Sequence, residues 1–212
     1  MNKFLTDITL VVDRSGSMHS IQEDAQGGVN SFIQQQADQQ DGQANLTLYE
    51  FDNHYEKVID NVPVQNVEPY CLAPRGSTAL LDAVGQAIVE TGKRLANMPE
   101  QDRPGLVVFV VLTDGHENAS REFSLQRVRE MIEHQQDQYN WQFTFLGADA
   151  SAFDEANQMG MKAGSAAQFS KRKVSAAYFH TSNKVNRMRK QAMLGEKVSN
   201  NYTLAEHQDM VE

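Results

Sequence analysis

Cysteine is nearly missing from this chain. Cys71 is the single one among 212 residues, so no internal disulfide framework can brace the fold. No stretch approaches the roughly 20 consecutive apolar residues that span a bilayer. The opening residues, Met-Asn-Lys-Phe-Leu-Thr-Asp, run straight into a strand pattern without the apolar core of a signal peptide. Together these absences point to the cytoplasm and away from the membrane. Without secretion, the glycosylation-like triplets at Asn45, Asn118 and Asn201 read as accidental. There is no Walker A sequence, no internal repeat and no Ser-His-Asp order. Basic charge is also short: 19 Lys and Arg stand against 28 Asp and Glu, a net −9. Residues 1–170 hold 11 basic and 24 acidic residues, which makes the main body a poor binder of polyanions.

What is present is an α/β pattern with 40% hydrophobic residues, enough for one domain with a full core. Phe4 to Val12 turns from alternating to continuously apolar, as a strand buried on both faces does. Ser20 to Gln39 reads as a helix whose apolar face is Ile21, Ala25, Val29, Phe32 and Ile33, with Gly27-Gly28 a weak point. Asn45 to Phe51 and His54 to Ile59 read as a hairpin around Asp52-Asn53, its second strand an antiparallel edge. A helix is expected from Ser77 to about Ala96, a central strand over Leu106 to Leu112, and a helix over Ser124 to Gln138. Trp141 to Leu146 is a further strand, followed by a short helix near Ala152 to Met159 and a last strand near Ala166 to Phe169. Strands alternating with helices predict a mostly parallel sheet covered on both faces.

Asp13-Arg14-Ser15-Gly16-Ser17 follows the first strand directly. An acid and two hydroxyls at alternate positions form an oxygen-only half-site for a hard cation. Two later segments can complete it: Arg75-Gly76-Ser77-Thr78, opening an apolar helix, and Thr113-Asp114-Gly115, ending the central strand. In open α/β sheets ligands sit beyond the carboxyl ends of the strands, where Asp13 and Asp114 both belong. An all-oxygen set without Cys or His favours Mg²⁺, with Mn²⁺ or Ca²⁺ as alternatives. Taken singly, Ser15-Gly16-Ser17 is a strand-to-helix turn, Thr78 a helix-start residue (Ser77 its cap), and Asp114-Gly115 a turn. Only the constellation changes the reading.

That constellation resembles the von Willebrand factor A (VWA) domain family, whose metal-ion-dependent adhesion site is Asp-x-Ser-x-Ser, then a distant Thr, then a distant Asp in Thr-Asp-Gly. The resemblance covers roughly residues 4–190 and is of the stand-alone bacterial or phage type. It implies a Rossmann-like three-layer α/β/α fold with a VWA domain over 1–195, its last helix at about 173–193, and a polar tail over 196–212. It implies Asp13, Ser15, Ser17, Thr78 and Asp114 as metal residues, the hydroxyls making most of the direct contacts. Two carboxylates at most neutralise a divalent ion, so such an ion stays electrophilic and keeps a position open for a partner's Asp or Glu. His19, Gly76, His116 and Glu117, with Asn118 beside them, form the expected partner-binding rim. The expected function is a non-enzymatic, metal-dependent protein-binding module. Intracellular relatives often act as adaptors or assembly subunits beside ring-forming AAA+ ATPases.

Two other functions stay open on the residues. One is a Mg²⁺-dependent phosphoryl hydrolase with Asp13 as nucleophile, although Ser15 stands where the dehalogenase-type phosphatases need a second acid. The other is nucleic-acid association through 171–190, which holds seven basic residues and no acid. Val174, Ala177, Tyr178, Thr181, Val185 and Met188 in that stretch have helical spacing, and the plain reading is a last helix with its basic face in water. Residues beyond about Val198 are expected to be loosely ordered. Asp52 and Asp149 read as a turn residue and a helix cap, and Cys71 as inert in apolar surroundings.

Overall fold

The computed structural model describes residues 1–148 and 150–212; the expectation for Asp149 falls outside them. The elements are β1 (Asn2–Asp13), α1 (Gln22–Ala37), β2 (Gln43–Phe51), β3 (Tyr55–Pro63), α2 (Leu80–Ala96), β4 (Pro104–Thr113), α3 (Leu125–Tyr139), β5 (Gln142–Gly147), α4 (Ala152–Gln158), β6 (Ala166–Gln168), α5 (Val174–Leu194) and α6 (Leu204–Val211). The sheet runs β3-β2-β1-β4-β5-β6. Among the described residues only the β2–β3 pairing is antiparallel, and the other four are parallel. Leu10 of β1 lies between Leu48 of β2 and Val110 of β4, at the centre of the register.

Strand alternation divides the core into two layers. Ile8, Leu10, Val12, Leu46, Leu48, Val108, Val110 and Leu112 face α1 and α5. Val11, Tyr49, Phe51, Val107, Phe109, Val111, Phe143 and Phe145 face α2 and α3. The even residues of β4 serve one layer and the odd residues the other. Its unbroken apolar run is therefore what a strand buried on both faces requires. Each such side chain contributes about 1.5–3 kcal/mol of burial. The chain winds outward from β1 in both directions, through β2 on one side and β4 on the other. The switch point of this order lies between β1 and β4, where open sheets bind ligands.

Some local expectations shift. The first helix starts as a 3-10 turn, Gly16–Ile21, and becomes α-helical only at Gln22. It runs through Gly27-Gly28 because Gly28 is needed there: a Cβ would lie 2.2 Å from the Tyr178 ring of α5. The second helix begins at Leu80 rather than Ser77, with Ala79 as an N-cap that supplies no side-chain bond. Cys71 is exposed, not enclosed in apolar surroundings.

The C-terminal region departs most from expectation. Of the seven basic residues in 171–190, Lys184 is fully buried and Arg189 is 3% exposed. Lys171, Lys173 and Arg187 pair with Asp114, Asp209 and Glu206. Among the described residues, only Arg172 and Lys190 are left without burial or an ion pair. The segment expected as a loose tail packs against the body. Tyr202 and Met210 are buried, and Asn200 bonds the Phe143 carbonyl and the Thr144 hydroxyl of β5. Helix α6 starts with a complete capping box between Thr203 and Glu206. This segment lies against the short strand β6, with Ser170 N–H donating to the Met210 carbonyl at 2.9 Å. It blunts that edge of the sheet. Among the described residues no helix is long and apolar enough to cross a membrane.

Candidate metal centre

Five side chains from three separate segments meet beyond the carboxyl ends of β1 and β4. Asp13 ends β1 and is fully buried. Its Oδ1 accepts the Ser15 backbone N–H at 2.6 Å, and its Oδ2 accepts the Thr113 hydroxyl at 2.6 Å. The first bond closes a small loop that turns the chain and sends both serine hydroxyls the same way, Ser15 Oγ lying 2.9 Å from Ser17 Oγ. Ser17 in turn donates to Asp114 Oδ1. Thr78 completes the group, held by backbone bonds from both sides. Its N–H donates to Asn118 Oδ1 at 3.0 Å, and its carbonyl accepts the N–H groups of Asn118 and Ala119.

Gly115 shows how tightly these oxygens converge. The position of a Cβ on Gly115 is 3.3 Å from Thr78 Oγ1, 3.4 Å from Ser17 Oγ and 3.8 Å from Asp13 Oδ2. Three oxygens, two from the 13–17 loop and one from Thr78, thus lie close around one point beside Gly115. The donors are carboxylates and hydroxyls, which suits a hard divalent cation such as Mg²⁺, Mn²⁺ or Ca²⁺. Among the described residues no three His, Cys, Asp or Glu side chains cluster as a metal site. Any ion here must therefore draw on the hydroxyls. Burial raises the Asp13 carboxyl above the ordinary range, the Thr113 and Ser15 bonds oppose that rise, and the charge of Asp114 adds to it. Two neighbouring acids in a dry site are what a cation relieves.

Arg14, inside the first motif, turns inward away from this centre. Its guanidinium meets Glu50 at 2.7 Å, Asp52 at 3.1 Å and Glu56 at 3.1 Å. Arg75 also reaches Asp52, at 2.8 Å. Burial pushes the Asp52 carboxyl up, but the Arg75 and His54 bonds and the Arg14 charge outweigh it and hold the carboxyl low. The motif's second residue thus clamps the β1 loop to β2 and to the loop bearing Gly76. Backbone bonds follow the same path, from Arg75 N–H to the Arg14 carbonyl at 2.6 Å and from Gly16 N–H to the Gly76 carbonyl at 3.0 Å.

The rim residues separate into two groups. His19, Gly76 and His116 are exposed. Gly76 has φ +71°, and a Cβ there would lie 2.1 Å from Asn53 Oδ1; both facts require glycine. His116 contacts Glu155 through Nδ1, with Ser151 Oγ at 3.4 Å from the same nitrogen. Glu117 faces inward instead of outward to a partner. Its oxygens accept from Leu81 N–H, Ala119 N–H, Ser120 N–H and the Ser120 hydroxyl.

This inward turn explains why α2 needs no cap of its own. Glu117 and Ser120 satisfy its first free N–H groups, while Asp82 accepts from the N–H groups of Arg121, Glu122 and Phe123. Thr113, Arg14 and Lys171 are site residues that spacing alone did not single out. Thr113 was legible as the first letter of Thr-Asp-Gly. Lys171, which ion-pairs Asp114 at 2.7 Å across 57 residues, left no local signal.

A three-layer α/β/α domain with an oxygen-lined centre at its switch point has the von Willebrand factor A fold, and solved structures agree. Proximal thread matrix protein 1 of the mussel byssus is 17% identical with a TM-score of 0.57, covering 85% of this chain and 46% of that one. Manganese-loaded TRAP protein of Plasmodium vivax is 17% identical with a TM-score of 0.59, covering 83% of this chain and 72% of that one. A von Willebrand factor type A protein from Catenulispora acidiphila is 13% identical with a TM-score of 0.60, covering 84% of this chain and 42% of that one. The chain thus spans less than half the length of the mussel and Catenulispora proteins. At these identities the likeness is one of fold. Compared as a sequence, the chain matches no family model and no curated protein.

Proposed function

We propose that this chain is a divalent-cation-dependent protein-binding module. The observation that carries the reading is the convergence of Asp13, Ser17 and Thr78 oxygens on one point beside Gly115, with Ser15 and Asp114 bonded to Ser17. In the proposal Asp13, Ser15, Ser17, Thr78 and Asp114 hold the ion, Mg²⁺ being the physiological choice for an oxygen-only set. A bound ion would supply a Lewis-acidic position that an Asp or Glu of the partner completes. Thr113 and the Ser15 N–H fix the Asp13 carboxylate, Asn118 fixes Thr78, and Arg14 anchors the first loop. His19, Gly76 and His116 form the exposed rim that meets the partner. Metal-bearing structures of the same fold support the reading: the mussel protein is known with a zinc-occupied MIDAS motif, at a TM-score of 0.51, and TRAP with manganese.

Binding is favoured over hydrolysis because both oxygens of Asp13 are held by fixed donors and the residue is fully buried. Such a carboxylate is a ligand rather than a free nucleophile. The wider role proposed, as a cytoplasmic adaptor or assembly subunit beside an AAA+ ATPase, rests on the family resemblance alone. Titrating Mg²⁺ and Mn²⁺ into wild type, Asp13→Ala and Ser15→Ala/Ser17→Ala tests the site. Wild type should bind and the variants should lose binding while keeping the fold. Unchanged affinity in both variants would sink the assignment. Capture of partners in Mg²⁺ but not in EDTA, and co-purification of a ring ATPase, test the rest.

A further inference from the structure

Lys171 reaches into the oxygen cluster from the loop between β6 and α5. Its Nζ donates to Asp114 Oδ2 at 2.7 Å and to Ser20 Oγ at 3.2 Å. The Asp114 side chain is 0% exposed and the Lys171 side chain 45%, so a solvated tether delivers its charge to a buried acid. The two oxygens of Asp114 are divided between neighbours. Oδ1 accepts from Ser17, which belongs to the ligand cluster, and Oδ2 faces the ammonium.

Other cations near the first loop are committed elsewhere, Arg14 to Glu50, Asp52 and Glu56, and Arg75 to Asp52. Asp13 accepts from the Ser15 N–H and from the Ser15 and Thr113 hydroxyls, none of them a cation. Among the described residues, then, Lys171 is the one cation ion-paired with either acid of the cluster. It lies far along the chain from every ligand, and it donates only. An ammonium has no lone pair to offer a metal.

We propose that Lys171 is a tethered counter-ion that sets the cation affinity of the site, neutralising Asp114 in the metal-free protein and opposing a divalent ion that enters. The proposal rests on the metal-dependent reading above and assigns to it a residue that is not a ligand. Two like charges sharing one carboxylate repel whether the ammonium stays on Oδ2 or swings out into solvent. Removing the charge therefore tightens divalent binding in either case. With the tether nearly half exposed, solvent screens part of the effect, and a change on the order of tenfold is expected. The same removal leaves Asp114 without a cation in metal-free protein, so stability in EDTA should fall. The two effects have opposite signs, which a merely structural contact would not produce.

The test is calorimetric titration of Mn²⁺ into wild type, Lys171→Met, Lys171→Gln and Lys171→Arg, with thermal melting of each in EDTA and in excess Mn²⁺. The neutral variants should bind Mn²⁺ about tenfold more tightly than wild type. They should melt lower than wild type in EDTA and at least as high in excess Mn²⁺. Lys171→Arg, which keeps the charge, should restore wild-type affinity. Equal or weaker binding by both neutral variants would overturn the proposal while leaving the metal reading intact. No Mn²⁺ binding by wild type or the neutral variants would bring down the metal reading, and the proposal with it.

Discussion

Replacing Arg14 by Met removes the clamp beneath the first metal loop while keeping a side chain of similar length. Glu50 and Asp52 have side chains only 7% and 6% exposed. Breaking a buried pair by deleting one partner costs about 3–5 kcal/mol, because a charge stays behind in a dry place. The structure places this case near the lower end of that range. Asp52 keeps the Arg75 guanidinium at 2.8 Å and the His54 N–H at 2.9 Å. Among the described residues Glu50 keeps only the Tyr70 hydroxyl, at 2.6 Å. The third partner, Glu56, is 58% exposed, and its loss adds no more than about 1 kcal/mol. A destabilisation of about 3 kcal/mol is therefore expected, mostly from Glu50. At a urea slope of about 2 kcal/mol/M it lowers the midpoint by about 1.5 M. Glu50→Gln in the Arg14→Met background removes the stranded charge and should recover about half of the loss. Because Arg14 lies between Asp13 and Ser15, the single variant should also weaken Mn²⁺ binding. Urea unfolding of wild type, both single variants and the double variant measures the coupling. An Arg14→Met cost under about 1 kcal/mol, or strict additivity with Glu50→Gln, would refute a buried, charge-coupled clamp.

Gly115→Ala places a methyl 3.3 Å from Thr78 Oγ1 and 3.4 Å from Ser17 Oγ. It should cost about 1 kcal/mol of stability, the low end of overpacking, yet weaken Mn²⁺ binding, read by calorimetry beside a melting curve. Saturating wild type at about 100 times the metal Kd should add about 2.7 kcal/mol of stability, raising Tm by about 5–10 °C, and EDTA should reverse the rise. Burial holds the Lys184 pKa well below that of an ordinary lysine; Glu206 opposes the shift and Arg187 adds to it. Between the folded and unfolded pKa values the unfolded chain binds more protons, so stability should rise with pH in that window, by up to about 1.4 kcal/mol per unit. Urea midpoints from pH 7.5 to 9.5 should show this slope in wild type and a flatter one in Lys184→Met; parallel slopes would count against it. A Glu117→Ala exchange should lower stability by about 1–3 kcal/mol by stranding the first N–H groups of α2, rather than act as a surface change.

Periodicity and turn residues made most of the fold legible. The apolar run of Leu106 to Leu112 announced a strand buried on both faces, and Asp52-Asn53 between two alternating runs announced the antiparallel hairpin. Spacing puts the start of α2 at Ser77 instead of Leu80 because its caps come from Glu117 and Ser120, some forty residues away, and local propensity cannot register them. The C-terminal segment looked like a polar tail because its anchors, Tyr202 and Met210, are isolated among polar residues, each fitting a pocket formed by other elements. The basic run at 171–190 looked like a charged surface because composition does not say which lysines face inward.

The sequence by itself determined which atoms are available at the centre, since Asp13, Ser15, Ser17, Thr78 and Asp114 follow strands or precede a helix, and strand ends share one edge of a parallel sheet. The tertiary structure alone decided how those atoms are held and charged. Arg14 turns inward because the end of β2 brings Glu50 and Asp52 beneath it, Glu117 turns inward because α2 offers unsatisfied N–H groups, and Lys171 reaches Asp114 because β4 and β6, with β5 between them, run parallel and end on the same edge of the sheet. Ligand chemistry is a property of residue type and local spacing. The electrostatic balance of the site is a property of neighbours distant in sequence, which only packing brings together.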